Sequence, residues 1–158
     1  THSVSLSRLV RPEDALSGTL MFAGKLVAAL DEVAAIAAIR YCRQPTVTAS
    51  VDTVYFHHPL RVGQIADFRA LLTHVGRSSM EIGIRVDGEE PQMGRRWHVT
   101  TAYLTMVRVG ADGRPADVSG SAPPAAAEPR LWREGESRRA QRRARIRALR
   151  RRAGYDAG

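Results

Sequence analysis

Residues 22–42 form an apolar stretch that lacks the alternation of a strand. Alanine and leucine dominate it, and because both favour helix, the stretch predicts one helix of about five turns. From Leu26 to Ile39 the residues are apolar on every side of that helix, apart from the pair Asp31-Glu32. A helix that is apolar all round is expected to be buried all round. In a small domain, a sheet wrapped around the helix is the simplest way to bury it.

Strand patterns flank this helix on both sides. Residues 4–10 precede it, and the later segments are rich in β-branched residues or alternate clearly, as from Met80 to Asp87. The predicted strands after the helix are 46–57, 64–75, 80–87 and 95–109. One strand, one long helix and four antiparallel strands predict a single α+β domain over residues 1–114, with five strands around one central helix.

The last predicted strand is apolar on both faces, with Trp97, Val99, Tyr103 and Val107 on one and Ala102, Leu104 and Met106 on the other. A sheet that is apolar on both faces needs cover on both faces. One helix covers only one face, so a second copy of the chain is expected to cover part of the other. The alternative is a monomer with scattered apolar residues on its surface.

The remaining chain has a different composition. Residues 115–130 are predicted to be a Pro/Ala/Ser linker, and residues 131–158 a basic, helical C-terminal extension. Residues 1–130 hold fourteen basic and thirteen acidic residues, whereas 131–158 hold ten arginines and three acids. The basicity is therefore an appendage, and we interpret it as a solvated, partly helical extension. The alternative is binding of nucleic acid or an acidic partner through residues 138–152.

Composition narrows the class of protein further. Cys42 is the only cysteine, so an internal disulfide is impossible, and a cytoplasmic location is the default expectation. No apolar run approaches the ~18 residues of a membrane span. The histidines show no metal-ligand grouping, and no phosphate-binding glycine motif appears, so neither a metal nor a separate cofactor is expected.

Seven short motifs, in order through residues 9–110, resemble the acyl-CoA thioesterases of the hotdog superfamily. They are 9–15 (LVRPEDA), 22–26 (FAGKL), 30–34 (LDEVA), 47–52 (VTASVD), 56–63 (FHHPLRVG), 75–81 (VGRSSME) and 99–103 (VTTAY). The resemblance implies the wrapped-helix fold predicted above, and homodimers that often assemble into trimers of dimers. It also implies active sites at the dimer interface and hydrolysis of acyl-CoA to a free acid and coenzyme A. Coenzyme A is then part of the substrate.

Asp31 is the first candidate catalytic residue. A lone carboxylate in an apolar helix is costly unless it is paired or serves a purpose. By the resemblance, it activates water or attacks the thioester directly. The alternative is a solvated aspartate on the exposed edge of the helix, next to Glu32.

Two further catalytic candidates are Gly24 and Thr48. Gly24 lies near the start of the helix, where free N–H groups and the helix dipole can stabilise an oxyanion. Thr48 and Ser50 are predicted to share the strand face beside the helix and to contact water or the thioester. The alternatives are a glycine needed only for loop geometry and threonines that simply favour strands.

Arg77, Ser78 and Ser79 are the candidates for binding the coenzyme A phosphates, because a guanidinium and turn amides suit phosphate. Arg61 is a weaker candidate of the same kind, and solvated turn residues are the alternative interpretation. The chain departs from the family pattern at Leu16, where many members have asparagine. This departure leaves a second hypothesis open, a non-catalytic hotdog module that binds acyl-CoA or serves as a scaffold.

Overall fold

The computed structural model describes residues 3–118 and 129–154. Along the chain it contains β1 (Ser3–Leu9), a short 3₁₀ turn (Pro12–Asp14), α1 (Ala23–Cys42), β2 (Thr46–Val51), β3 (Ile65–Val75), β4 (Ser79–Glu90), β5 (Arg95–Arg108) and α2 (Pro129–Ala153). The strands form one antiparallel sheet in the order β1-β3-β4-β5-β2. The predicted α+β fold, five strands around one long helix, is confirmed.

The core lies between α1 and the inner face of the sheet. Leu30, Val33 and Ala34 of α1 are fully buried, as are Phe68 and Ile82 of the sheet. Each large apolar side chain buried in this way stabilises the fold by about 2 kcal/mol. Burial on every side of α1 was expected, however, and within the described chain that expectation is wrong. The sheet covers one side of the helix and leaves a partly exposed stripe, which contains Ala28, Asp31, Glu32, Ala35 and Ile39.

β2 is shorter than predicted. It ends at Val51 rather than residue 57, and residues 52–57 run beside β5 without regular pairing. Two backbone hydrogen bonds hold this segment, from Asp52 N to Tyr103 O at 3.0 Å and from His57 N to Val99 O at 2.9 Å. β2 is also an edge strand, because β5 is its only partner among the described strands.

α2 packs on the outer face of the sheet, which corrects the interpretation of a solvated extension. Gly135 is buried against His74 and Thr73, and Trp132 lies over the His74 ring at 4.9 Å between centroids. From Arg143 onwards the described helix residues are exposed. A second copy of the chain was expected to cover part of this outer face, and α2 of the same chain provides cover there. Among the described residues, neither helix has the length and apolar composition that a membrane crossing requires.

Candidate active site

Asp31 and Thr48 meet where α1 passes the edge strand. Asp31 lies in the middle of α1 and is half-buried, on the partly exposed stripe of the helix. The Thr48 hydroxyl donates to Asp31 Oδ1 at 2.5 Å, and the same hydroxyl lies 3.5 Å from the sulfur of Met106. The carboxylate is therefore neither fully buried nor simply solvated. One of its oxygens accepts a hydrogen bond from a neutral donor.

A β-bulge separates Thr48 from Ser50. Thr48 pairs with Met106, but Ser50 pairs with Thr105, so the register shifts by one residue at Ala49. A bulge of this kind re-aims the side chains that follow it. Thr48 consequently points towards α1, whereas Ser50 lines an outer-face cleft beside Arg142. The prediction that Thr48 and Ser50 share one face is wrong for this reason.

Gly24 lies in the first turn of α1, and the described residues provide no side-chain cap for this helix start. A Cβ at Gly24 would approach the Phe22 ring to 2.9 Å, so glycine also lets Phe22 fold back on the helix. Seven residues separate Gly24 from Asp31, which is about 10 Å along the helix axis. Within one chain, the two catalytic candidates are not brought together.

The phosphate-binding candidates fall at two places. Arg77 and Ser78 form the turn between β3 and β4, and Ser79 pairs with Val107, one position along β5 from the partner of Thr48. This turn is thus at the same end of the sheet as Thr48. Arg61 is elsewhere, because it donates to Thr19 Oγ1 at 3.0 Å in the loop that precedes α1.

An apolar pocket of about 230 Å³ lies beside the start of α1. Its lining includes Met21, Leu26, Phe56, Leu60 and Val99. Val99 was predicted to share a face with Tyr103, but a second register shift, between Val86 and Asp87, turns it towards this pocket instead. Apolar side chains of this pocket therefore lie beside the N-terminal end of α1, near Gly24.

A polar triad on the outer face lacks the features of a hydrolytic site. His98 Nδ1 lies 3.4 Å from Asp87 Oδ1, and His98 Nε2 lies 3.3 Å from Thr101 Oγ1, an order that resembles a catalytic triad. Burial would raise the pKa of Asp87, but hydrogen bonds from Arg85 and Arg69 outweigh it and lower the pKa. Two guanidiniums thus already neutralise the carboxylate, and Thr101 is exposed on a strand face.

Within residues 3–118 and 129–154, no cluster of three or more His, Cys, Asp or Glu side chains has a metal-binding arrangement.

Sequence reasoning missed Glu81, Arg138 and Arg142. Glu81 alternates with apolar residues, which is typical of a solvent-facing strand position, yet α2 buries it. The i, i+4 spacing of Arg138 and Arg142 was the available signal, because it places two guanidiniums on one helix face. Both of them contact Glu81.

A central helix wrapped by a five-stranded antiparallel sheet, with one carboxylate at the edge strand, defines a hotdog-fold protein of the thioesterase type. The model of the thioesterase superfamily matches residues 18–94. Protein VdlD of Helicobacter pylori is 37% identical over 140 residues, which cover 89% of this chain and 79% of that protein. The cytosolic acyl coenzyme A thioester hydrolase of Rattus norvegicus is 32% identical over 142 residues, covering 89% of this chain and 37% of that protein.

Solved structures agree with these relatives. The acyl-CoA hydrolase of Staphylococcus aureus, in complex with butyryl coenzyme A, coenzyme A and coenzyme A disulfide, is similar with a TM-score of 0.86 and 30% identity, covering 98% of this chain and 94% of that chain. An apo-hexameric acyl-CoA thioesterase is similar with a TM-score of 0.83 and 33% identity, covering 92% and 93%. The chain therefore belongs to the hotdog acyl-CoA thioesterase family and is an enzyme of the thioester hydrolase class.

Structures of the Staphylococcus aureus enzyme include three variants in which one residue is replaced by alanine. The replaced residues are an asparagine, an aspartate and a threonine. In that chain the aspartate follows the asparagine by 15 positions, and the threonine follows the aspartate by 17.

Proposed function

We propose that this chain hydrolyses acyl-CoA thioesters to a free acid and coenzyme A, with Asp31 as general base or nucleophile and Thr48 as its orienting partner. The observation that carries the proposal is the 2.5 Å hydrogen bond from Thr48 Oγ1 to Asp31 Oδ1. The two spacings in the Staphylococcus aureus enzyme support it, because positions 16, 31 and 48 of this chain are separated by the same 15 and 17 residues.

The chemistry follows from a carboxylate that is held at one oxygen. As general base, Asp31 takes a proton from water while the water oxygen bonds to the thioester carbonyl carbon. The tetrahedral intermediate then breaks its C–S bond, and the proton passes to the departing sulfur of coenzyme A. As nucleophile, the carboxylate bonds to the same carbon and expels the thiolate, and water then cleaves the mixed anhydride. In both forms Thr48 occupies Oδ1, which leaves Oδ2 for water or substrate.

We infer that two copies of the chain complete the site. β2 is an edge strand, and its Val47 and Val51 are both exposed. An exposed apolar edge is a template for pairing with another chain. The partly exposed stripe of α1 carries Asp31 and meets this edge strand at Thr48, and a relative of similar fold is hexameric. If a second copy pairs at this edge, residues of that copy bury Asp31 further.

The second copy also resolves the separation of Gly24 from Asp31. At about 10 Å along one helix, the two residues are too far apart to act on one carbonyl. The α1 start of the partner copy therefore supplies the N–H donors for the developing oxyanion. Glycine at this position lets the thioester approach the backbone closely.

The coenzyme A phosphates are proposed to bind at the turn of Arg77, Ser78 and Ser79. A guanidinium beside turn N–H groups suits phosphate oxygens. Support comes from the location of the turn at the Thr48 end of the sheet. Arg61 contributes at most a second contact, from the loop before α1.

A second candidate function is acyl-CoA binding without turnover. Leu16 stands where many family members have asparagine, and the residue is 78% exposed. Its apolar side chain offers no hydrogen bond to a carbonyl or a water. Under this alternative, acyl-CoA binds tightly and remains intact. Rapid turnover of any acyl-CoA excludes it.

Thiol release from acyl-CoA esters of increasing chain length tests the proposal. The wild type is expected to release coenzyme A from at least one ester, and Asp31→Asn is expected to release it at least about 100-fold more slowly while keeping its melting temperature. Glu32→Gln is the matched control, because it removes the neighbouring charge on an exposed side chain. Failure of the wild type to release coenzyme A across the series, or full activity of Asp31→Asn, contradicts the proposal.

A further inference from the structure

The outer face of the sheet carries a charged cluster that attaches α2 to the strands. Glu81 of β4 is 2% exposed. Its carboxylate accepts hydrogen bonds from Thr73 Oγ1 at 2.6 Å and Arg138 Nη2 at 2.7 Å, and Arg142 Nη1 lies 2.7 Å away. Burial would raise the pKa of Glu81, but the hydrogen bonds from Arg138, Thr73 and Arg142 outweigh it and lower the pKa. Glu81 is thus an ionised, fixed anchor for α2.

Arg142 extends this cluster to the end of the edge strand. Its Nη1 lies 2.8 Å from Asp52 Oδ2 as well as 2.7 Å from Glu81 Oε2. Asp52 directly follows β2, and its N–H donates to the carbonyl of Tyr103 on β5. The guanidinium of Arg138 lies 3.8 Å from the centroid of the Tyr103 ring. Arg142 therefore connects β4 to the end of β2 across β5.

β2 depends on such a connection because it is an edge strand with a bulge. The register with β5 shifts between Thr48 and Ser50, and a bulge allows the strand to bend at that point. On the inner face, Thr48 donates to Asp31 before the bulge. On the outer face, Asp52 is held by Arg142 just beyond it. The position of the Thr48 hydroxyl relative to Asp31 therefore depends on the contacts that hold β2 beyond the bulge.

We propose that Arg142 is a positioning residue for the hydrolytic site: by holding Asp52, it fixes β2 so that the Thr48 hydroxyl stays on Asp31. This inference rests on the proposed function and extends it to α2. α2 lies outside residues 18–94, the part that the thioesterase-superfamily model matches. The C-terminal helix thereby becomes a support of the active site rather than an appendage.

The test compares Arg142→Gln with Arg147→Gln, which removes the same charge from an exposed position of α2. Arg142→Gln is expected to lower kcat about tenfold with little change in KM, since a small misplacement of a catalytic group is costly. Arg147→Gln is expected to match the wild type. Asp52→Asn cuts the same ion pair from its other end while Arg142 stays on Glu81, so it should lower kcat similarly with less loss of stability. Arg142→Lys keeps a positive charge at this position, so it should retain part of the kcat that Arg142→Gln loses.

A double-mutant cycle separates positioning from general destabilisation. In a Thr48→Val background, Arg142→Gln is expected to lower kcat no further, because the residue acts through Thr48. Melting temperatures and the Asp31→Asn variant are measured alongside. Suppose that the wild type is active and Asp31→Asn is not. The positioning role alone is then overturned if Arg142→Gln and Asp52→Asn both have the same kcat as Arg147→Gln. It is also overturned if Arg142→Gln lowers kcat in the Thr48→Val background as much as it does in the wild type. A wild type that releases no coenzyme A overturns both proposals.

Discussion

At the scale of single residues, the proposed chemistry depends mainly on the pair of Asp31 and Thr48. Asp31 could be singled out from the sequence because a carboxylate in an apolar helix needs a reason. Thr48 could be placed on the strand beside the helix, but its neighbour Ser50 could not be placed correctly. The bulge at Ala49 depends on how β2 meets β5, and no residue type in TVTASV marks it. The alternation of apolar and polar residues therefore cannot predict which way side chains point after a bulge.

Replacing Thr48 by Val keeps the shape of the side chain and removes the donor to Asp31. We expect kcat to fall about tenfold or more, because the carboxylate loses its fixed orientation. Steady-state kinetics and a thermal melt measure the effect. Thr46→Val is the matched control on the same strand. Thr46 Oγ1 is buried with no hydrogen-bond partner among the described residues, so its removal should leave activity intact and stability unchanged or slightly higher. Equal losses in the two variants would contradict the assigned role of Thr48.

Leu16→Asn restores the polar group found in many family members. Since Leu16 is exposed, the change should not disturb the core, and we expect a severalfold rise in kcat. The same thiol-release assay measures it. No change in kcat would mean that another group of this chain orients the carbonyl or the water.

At the scale of elements, the order of strands and the long helix α1 follow from composition and alternation. The docking of α2 does not, because an arginine-rich helix has the composition of a solvated one. Besides the spacing of Arg138 and Arg142, Gly135 was a second overlooked signal in that helix. Glycine is unfavourable in a helix interior, and here it allows α2 to approach the backbone of β3 closely.

Gly135→Ala should reverse the usual effect of that substitution. In an ordinary helix interior the change gains about 1 kcal/mol. Here the added Cβ would lie 2.8 Å from His74 Cβ and from the Thr73 carbonyl oxygen. Because the carbonyl oxygen cannot move aside cheaply, we expect a net loss of about 1–3 kcal/mol in denaturant unfolding. Ser137→Ala, at an exposed position of the same helix, should instead be neutral or slightly stabilising. A stabilising Gly135→Ala would contradict the close packing of α2.

At the scale of the whole molecule, net charge is a poor guide to what the C-terminal region does. The formal charge of +8 resides mostly in the tail, yet Arg138 and Arg142 face carboxylates of the sheet rather than solvent. Such long-range pairing brings together residues that are distant in sequence, and local patterns cannot reveal it. The arrangement of the proposed copies cannot be predicted from local patterns either, since an edge strand is open to pairing but does not specify how a partner copy would lie.

Stability should fall as the pH is lowered from 7 through the ordinary titration range of histidine. Burial, and then the charge of Arg139, lower the pKa of His74 in the folded state, and the opposing effects of Glu81 and Glu136 are smaller. In the interval between the lowered pKa and the ordinary one, the unfolded chain binds the proton and the folded chain does not, so acid favours unfolding. One such group contributes a slope of at most about 1.4 kcal/mol per pH unit.

Denaturant unfolding between pH 5 and 7.5 measures this slope. His74→Phe keeps a ring against Trp132 and removes the titrating group, so it should flatten the dependence above pH 5. Glu81 and Asp87 have lowered pKa values and therefore lose their contribution only at more acidic pH, as they become protonated. An unchanged slope in His74→Phe would show that other groups cause it.

The most direct measurement of whether Asp31 performs chemistry is a single turnover of enzyme-bound acyl-CoA, compared between wild type and Asp31→Asn with binding determined separately. The proposal predicts that Asp31→Asn binds acyl-CoA with an affinity close to that of the wild type, while its rate of thioester cleavage falls by about 10²–10⁴-fold. Cleavage of bound acyl-CoA by Asp31→Asn at the wild-type rate would contradict it.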